Sequence, residues 1–288
     1  MQPQRIIHGS THEAYSVRRL IGSGAQGTVY EGRRIRDNQR VALKFGCRDL
    51  DARRRLRQEA WAYREFSDCP FIVDLVDHNL DSSDPFLVEE FCDMGSARDR
   101  LMFLQWNQRS TIGFITHVCA ALEIVQSRGC LYRDLKPDNL LLTRLDSSMF
   151  MKLGDAGLIC LPGEYGAALA TRNGLVGTIE YMAPELFKGG AVYSEAAEVF
   201  ALGVCSCEML FGARPKAGSV IYHGPYQTKA LLQQMIAVDP SARPTITQVK
   251  NVLLSAYDEM GRQQNAAGLV LGAGLVALVV AAIWKGSK

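Results

Sequence analysis

Six polar residues lie at spacings that would let them share one reaction. Asp134 and Asn139 lie five apart in the run Tyr132-Arg133-Asp134-Leu135-Lys136-Pro137-Asp138-Asn139, with Lys136 between them and Pro137 fixing the turn. That spacing lets one loop present a carboxylate to a substrate hydroxyl and an amide to a metal ion. Sixteen residues beyond Asn139, Gly154-Asp155-Ala156-Gly157 offers a second carboxylate on a turn, suited to Mg2+. Far upstream, Gly22-Ser23-Gly24-Ala25-Gln26-Gly27-Thr28-Val29 fits a glycine loop between two strands, where backbone N–H groups approach phosphates that a Cβ would block. Alone, such a loop also suits a dinucleotide-binding turn, but a strand rather than a helix follows it here. Val41-Ala42-Leu43-Lys44 then places a lysine on a strand, and Glu59 falls on the apolar face of the next helix. A carboxylate on that face needs a cationic partner. A Lys44–Glu59 pair explains both residues, with Lys44 set to hold the phosphates of a nucleotide.

These residues need elements to position them. Residues 13–45 read as strands joined by tight turns, with Tyr15, Val17, Leu20, Val29, Tyr30, Val41, Leu43 and Phe45 flanking the glycines and the polar turn Asp37-Asn38. A helix follows from about Asp51 to Phe66, where Leu56, Ala60 and Tyr63 recur at i, i+4 and i+7. Pro85 to Phe91 reads as a strand, Gly95 as a break, and 99–128 as helical with a polar interruption at Asn107 to Arg109. Gly129 through Pro184 reads as turns and loops. An apolar helix runs from about Glu195 to Phe211, and Leu231, Leu232, Met235 and Ile236 mark an amphipathic stretch before Asp239-Pro240. Strands first and helices after give an α+β arrangement of two lobes.

The glycine loop, Val41-Ala42-Leu43-Lys44, the Tyr132–Asn139 run, Asp155-Ala156-Gly157 and Ala183-Pro184-Glu185 occur in the order and spacing of the protein kinase family, which the chain resembles over about 13–257. The resemblance implies a two-lobed protein kinase fold over 13–260, with a small β-rich N-lobe at about 13–92 and a helical C-lobe at about 93–260. It implies ATP and Mg2+ bound between the lobes and a protein substrate presenting a Ser or Thr hydroxyl. Asp134 would be the catalytic base, Lys136 would stabilise the transferring phosphoryl group, and Asn139 and Asp155 would be the metal ligands. Gly22, Gly24, Gly27, Val29, Ala42, Lys44, Glu59, Glu90, Cys92 and Leu141 would form the ATP site. Gly177-Thr178 would shape the substrate-docking loop, and Glu185 would pair with Arg243 in the helical lobe. Lys136 is typical of the serine/threonine type, and the complete Gly177–Glu185 run argues against a small-molecule kinase.

Several positions depart from the family pattern. Ala156 stands where a Phe is usual, and Tyr132 where the loop begins with His; the bulk of Tyr132 is one way to fill the space that Ala156 leaves. Glu89 aligns with the gatekeeper of the adenine pocket. Two readings stand there: an acid needing a partner, with Lys44 contested between it and Glu59, or a one-residue slip of the alignment. Glu198 replaces the Asp that braces the loop from below, Phe200 replaces a Trp, and the substrate-side region of the helical lobe is trimmed. Gly174 falls where many members carry an activating phosphothreonine, leaving Arg133 without its usual phosphate; Thr171 is the nearest alternative, or simply a loop residue.

Composition narrows the partners. Of 288 residues, 48% are hydrophobic and 22% charged, and 32 basic against 30 acidic residues leave +2, which points to no nucleic acid. The eight cysteines form neither zinc spacings nor a disulfide framework. Arg53-Arg54-Arg55 with Arg57 reads as the solvated face of a helix, or less readily as a dock for an acidic partner or membrane. Ala266 to Trp284 is nineteen residues without a charge, flanked by Arg262, Lys285 and Lys288. That length and those flanks suit one C-terminal transmembrane helix at 266–284, a tail anchor in the mitochondrial outer membrane or endoplasmic reticulum with the catalytic domain in the cytosol. A buried helix or a disordered tail is the competing reading. Gly268 and Gly272 would allow helix–helix self-association in the membrane. Two functions compete: a membrane-tethered serine/threonine kinase, and a pseudokinase serving as an anchored scaffold.

Overall fold

The computed structural model describes residues 5–24, 27–46, 50–101, 107–159, 170–171, 174–175, 178–188, 192–218 and 226–266. The N-terminal part is a six-stranded antiparallel sheet built from β1 (Ile6–His8), β2 (Ala14–Gly24), β3 (Gly27–Arg34), β4 (Arg40–Phe45), β5 (Leu75–Asn79) and β6 (Phe86–Glu90), in the order β1-β2-β3-β4-β6-β5. Its centre is β4, whose run Val41 to Phe45 is buried on both faces and is accordingly apolar except for Lys44. β2 is long and mostly exposed beyond Ser16, and register shifts at Val17/Arg19 and Leu20/Gly22 bend it as it runs out with β3. That ribbon carries the glycines. Only Gly27 is required by the backbone itself: its φ is +145° and a Cβ would lie 2.2 Å from the Phe45 carbonyl oxygen.

Helix α1 (Leu50–Glu65) packs beside the sheet with Ala52, Leu56, Glu59, Ala60, Ala62 and Tyr63 buried, the face its spacing predicts. Its basic run is not simply solvated. Arg53 donates to the Ser83 carbonyl at 2.8 Å and Arg57 pairs with Asp81 at 2.8 Å, so both hold the β5–β6 turn. β1 and β5 carry no signal of their own in the sequence; β1 precedes the expected start at 13 and is held through Asp77, which accepts from Ser10, Thr11 and Tyr15.

The remainder is helical around one core that runs from α1 through the middle of the molecule. The stretch expected at 99–128 to be helical with a polar interruption holds two helices among the described residues, α2 (Ala97–Leu101) and α3 (Gln108–Ser127); the interruption is a cap, since Asn107 accepts from the Arg109 amide at 2.9 Å. Within the region read as loops lies a two-stranded hairpin, β7 (Leu140–Leu145) and β8 (Ser148–Leu153), closed by a turn with Asp146 at φ 53°. Only Asp146 and Ser147 separate its strands, but its apolar run Leu140 to Leu142 is too short to announce a strand. Further on, β9 (Ala170–Thr171) pairs with β10 (Gly174–Leu175). Helix α4 (Glu195–Phe211) matches its expected span, capped by Ser194 and ended at Gly212 in the left-handed region. α5 (Tyr226–Met235) covers the amphipathic stretch, and α6 (Ile246–Ala266) packs on α3 with Lys250 paired to Glu123.

Among the described residues no helix is long and apolar enough to cross a membrane. The expected transmembrane segment 266–284, with Gly268 and Gly272, lies beyond Ala266 outside the described residues, as do Gly177 and Cys47 and Cys160. The six described cysteines are free thiols, five of them buried.

Candidate active site

The hairpin β7–β8 sets the centre of the site. Because Leu140 pairs with Leu153, the residues just outside that pair, Asn139 and Gly154, are neighbours, and the Gly154 amide donates to the Asn139 carbonyl at 2.9 Å. Asn139 thus ends the loop and Asp155 begins the next turn at the same end of one hairpin. Asp155 holds φ 51°, a left-handed conformation unusual for a non-glycine residue.

The loop ahead of Asn139 is packed from beneath by buried Leu131, Tyr132 and Leu135. Asp134, 2% exposed, receives four hydrogen bonds from three donors: Lys136 Nζ at 2.7 Å and Asn139 Nδ2 at 2.9 Å on Oδ2, Thr178 Oγ1 at 2.9 Å on Oδ1, and Asn139 Nδ2 again on its backbone carbonyl. Lys136 also donates to Thr178 Oγ1 at 3.1 Å, so one ammonium bridges the loop and the segment after residue 177. Glu198, on α4, takes the brace position expected of an Asp. Its Oε1 accepts from the Tyr132 and Arg133 amides, and its Oε2 from Gln126 at 2.9 Å. Burial pushes its carboxyl up to about 7, against those donors. The Tyr132 hydroxyl donates to the Gly154 carbonyl, tying the loop to the turn that holds Asp155 and Ala156.

Lys44 projects from β4 into the same cleft. It donates to both oxygens of Glu59 at 2.7 Å and to Asp155 Oδ1 at 2.9 Å, and Tyr63 donates to Glu59 at 3.1 Å. Burial works against the Lys44 charge, but the adjoining carboxylates raise its pKa above the ordinary lysine value. The contest between Glu59 and Glu89 for Lys44 is therefore settled for Glu59. Glu89 is buried and lines the cleft, and its Oε1 is unpaired among the described residues.

The cleft is about 1120 Å3 and is lined by Gly22, Gly24, Gly27, Val29, Ala42, Lys44, Glu90, Cys92, Asp134, Lys136, Asn139, Leu141 and Asp155. The candidate residues are thus brought together, with Glu59 one contact behind Lys44. Glu90 turns its side chain to Lys152 and to the Asp74 amide, so it faces the cleft through its backbone. Among the described residues no group of three or more His, Cys, Asp or Glu side chains could hold a metal ion. Asn139 and Asp155 fit instead the way Mg2+ is held, by one or two protein oxygens with phosphate oxygens and water completing the octahedron.

Residues that the sequence did not single out support the frame. Arg98 of α2 pairs with Glu208 of α4 at 2.6 Å and reaches Asp138 at 3.3 Å, while Tyr181 donates to Glu208 at 2.6 Å. An acid inside the apolar α4 was the one local signal. The expected Glu185–Arg243 bridge is present as a pair of hydrogen bonds, Nη1 to Oε1 and Nη2 to Oε2 at 2.7 Å each, with Phe200 against the guanidinium. Arg133 sits at φ 72° and leaves Nε and Nη2 without partners among the described residues.

The model of the protein kinase domain matches residues 15–254. Similar curated proteins include a probable myosin light chain kinase of Dictyostelium discoideum, 26% identical over 89% of this chain and 78% of that protein. They include serine/threonine-protein kinase Pkn1 of Myxococcus xanthus, 34% identical over 75% of this chain and 31% of that protein. PknD of Mycobacterium tuberculosis is 31% identical over 74% of this chain and 32% of its own length. The chain therefore spans under a third of the length of these two bacterial relatives. A match over most of the chain, carried by a cleft of this composition, has one meaning: the chain belongs to the protein kinase family, with the serine/threonine protein kinases.

Proposed function

We propose that this chain transfers the γ-phosphoryl group of MgATP to Ser or Thr hydroxyls of proteins. The observation that carries the reading is Asp134, buried and oriented by Lys136, Asn139 and Thr178 at the edge of a cleft that also holds Lys44 and Asp155. Gly22 and Gly24 add to it: a Cβ at either would meet nothing within 4 Å, so nothing in the fold calls for glycine there, whereas a phosphate lying on the ribbon would. In the reaction the substrate hydroxyl displaces a donor on Asp134, its oxygen bonds to the γ-phosphorus as the bond to ADP breaks, and its proton passes to Asp134. Lys136 is placed to neutralise the charge on the moving group and Lys44 that on the phosphates left behind. Asn139 and Asp155 would hold the metal, which screens the phosphates.

A pseudokinase reading rests on Ala156, Glu89 and Glu198, the departures from the family pattern. The Glu198 brace and the Tyr132–Gly154 bond weigh against it, since both supports of the loop are filled by the substituted side chains. Acid hydrolysis of a protein labelled from γ-phosphate-labelled ATP decides the acceptor: phosphoserine or phosphothreonine is expected, and phosphotyrosine alone would overturn the assignment.

The reading extends to the tail. Segment 266–284 would anchor the kinase, facing the cytosol, in the mitochondrial outer membrane or endoplasmic reticulum, with Gly268 and Gly272 allowing pairing of two anchors; its support is nineteen uncharged residues between basic flanks. Carbonate extraction of the full chain and of one ending at Arg262 tests it. Release of both alike would sink the anchor.

A further inference from the structure

The basic run of α1 has no part in the chemistry above, yet two of its arginines meet over one turn. Arg53 Nη2 donates to the Ser83 carbonyl at 2.8 Å, and Arg57 Nη2 to Asp81 at 2.8 Å and the Leu80 carbonyl at 3.4 Å. Ahead of β1, Arg5 pairs with Asp84 at 3.4 Å. The turn Asp81-Ser82-Ser83-Asp84 therefore carries two serines at its tip with arginines gathered around it. The serines differ. Ser82 turns its hydroxyl inward, to the Asp84 and Asn79 carbonyls at 2.6 and 3.4 Å, whereas Ser83 is exposed. The present contacts use the arginines poorly. Among the described residues Arg53 gives one of its N–H groups, and that to an uncharged carbonyl. The Arg57–Asp81 pair, 57% and 89% exposed, contributes little. Among the described residues, three guanidinium groups face two carboxylates here.

We propose that Ser83 is a phosphorylation site and that Arg53 and Arg57 are the receptor for its phosphate. The inference takes its phosphoryl donor from the transfer reading above. Arg53 already touches the backbone of Ser83, so a phosphoryl group on the Oγ of that residue lies within reach of its remaining N–H groups. Arg57, one helical turn on, spans the same turn from Leu80 to Asp81. Phosphoserine brings about two negative charges and several acceptor oxygens, which the guanidinium fork matches better than it matches a lone carbonyl. Asp81, almost fully in water, yields Arg57 to the phosphate and keeps its hydration. The acceptor and the cleft lie on different sides of α1. Glu59 faces Lys44, and Arg57, two residues away, points about 200° round the helix. Asp134 of the same molecule therefore cannot serve Ser83, and transfer runs between two copies. The Ser83 Oγ of one copy bonds to the γ-phosphorus as its bond to ADP breaks, and the proton passes to Asp134 of the other. The phosphate then fastens the back of α1 to the sheet, as Lys44 fastens its front through Glu59.

Incubating the full-length chain with MgATP, beside dephosphorylated casein as a second acceptor, tests the site. Phosphate is expected on the tryptic fragment Glu65–Arg98 and not in Ser83→Ala, with an initial rate that rises as the square of the chain concentration. A full-length chain with phosphoserine in place of Ser83, made by amber suppression, tests the receptor. Its melting temperature should rise by about 3 °C or more above that of the unmodified chain, and the rise should vanish when Arg53→Gln and Arg57→Gln are combined. Labelled casein with an unlabelled Ser83 overturns the proposal. So does a melting temperature that phosphoserine leaves unchanged, or raises equally without the two arginines. If neither casein nor the chain is labelled, the transfer reading itself fails, which is a different result, and the melting curves still decide the receptor.

Discussion

The transfer end of the cleft and its inner end are built on opposite terms. At the transfer end each charged group is partnered before any ligand arrives: Lys44 by Glu59 and Asp155, Asp134 by Lys136, Asn139 and Thr178. Among the described residues, Glu89 at the inner end has an unpaired oxygen, and Arg133 behind the loop has two unpaired nitrogens. Partnered groups hold their positions, so the geometry for transfer precedes binding. Unpaired buried groups raise the free energy of the empty protein and lower it only when a partner comes. One set of groups is a paired frame; the other is left unsatisfied among the described residues.

The sharpest way to break that contrast is to unpair the frame. Lys44→Met leaves Glu59 buried and uncompensated, which should lower stability by about 3–5 kcal/mol in a urea titration at pH 7. A change under about 1 kcal/mol would mean that Glu59 and Asp155 do not depend on Lys44. Two arginines give the next test. Arg243, fully enclosed, serves both oxygens of Glu185 and the carbonyls of Ala196, Ala237 and Val238. Arg243→Met should cost about 3 kcal/mol, whereas Arg133→Met should stay within about 1 kcal/mol of the wild type in the same titration. Equal losses would erase the distinction between paired and unpaired groups.

The two ends were not equally legible in the sequence. Glu59 could be placed because an acid on an apolar helical face implies a nearby cation, and Asp134 to Asn139 because the whole set lies within one loop. Helix α4 was readable for a local reason too, as a continuous apolar run from about Glu195 to Phe211. What escaped is either weakly marked in the residues or non-local. The hairpin that seats Asn139 beside Asp155 depends on a register between Leu140 and Leu153, and the Arg98–Glu208 pair joins residues 110 apart. An odd acid at Glu89 was visible, but its isolation follows from Asp155, 111 residues beyond Lys44, taking the last proton of that ammonium.

A smaller effect is expected from pH at the inner end. The Glu89 carboxyl is held up at about 8 in the fold against an ordinary 4.5, chiefly by burial. The unfolded chain gives up this proton near 4.5 and the folded chain keeps it to about 8, so this residue's contribution to stability fades as pH rises between those values. Melting curves of Glu89→Met and wild type should therefore separate by a few degrees from pH 5 to pH 8.5, with the variant gaining. Curves that run parallel would show Glu89 ionised throughout. The smallest effect belongs to Tyr132→Phe, which removes only the hydroxyl bonded to the Gly154 carbonyl and should lower stability by about 1 kcal/mol. A loss as large as that of Lys44→Met would make Tyr132 part of the fixed frame.

The central claim is that Asp134, as it is held here, carries out phosphoryl transfer. Its most direct test is the rate of γ-phosphoryl transfer by the full-length chain at saturating MgATP, measured beside Asp134→Asn with nucleotide binding followed in the same samples. The account predicts that both proteins bind MgATP and that the variant is slower by roughly 10^2 to 10^4. Equal rates in the two proteins, with binding intact, would contradict it.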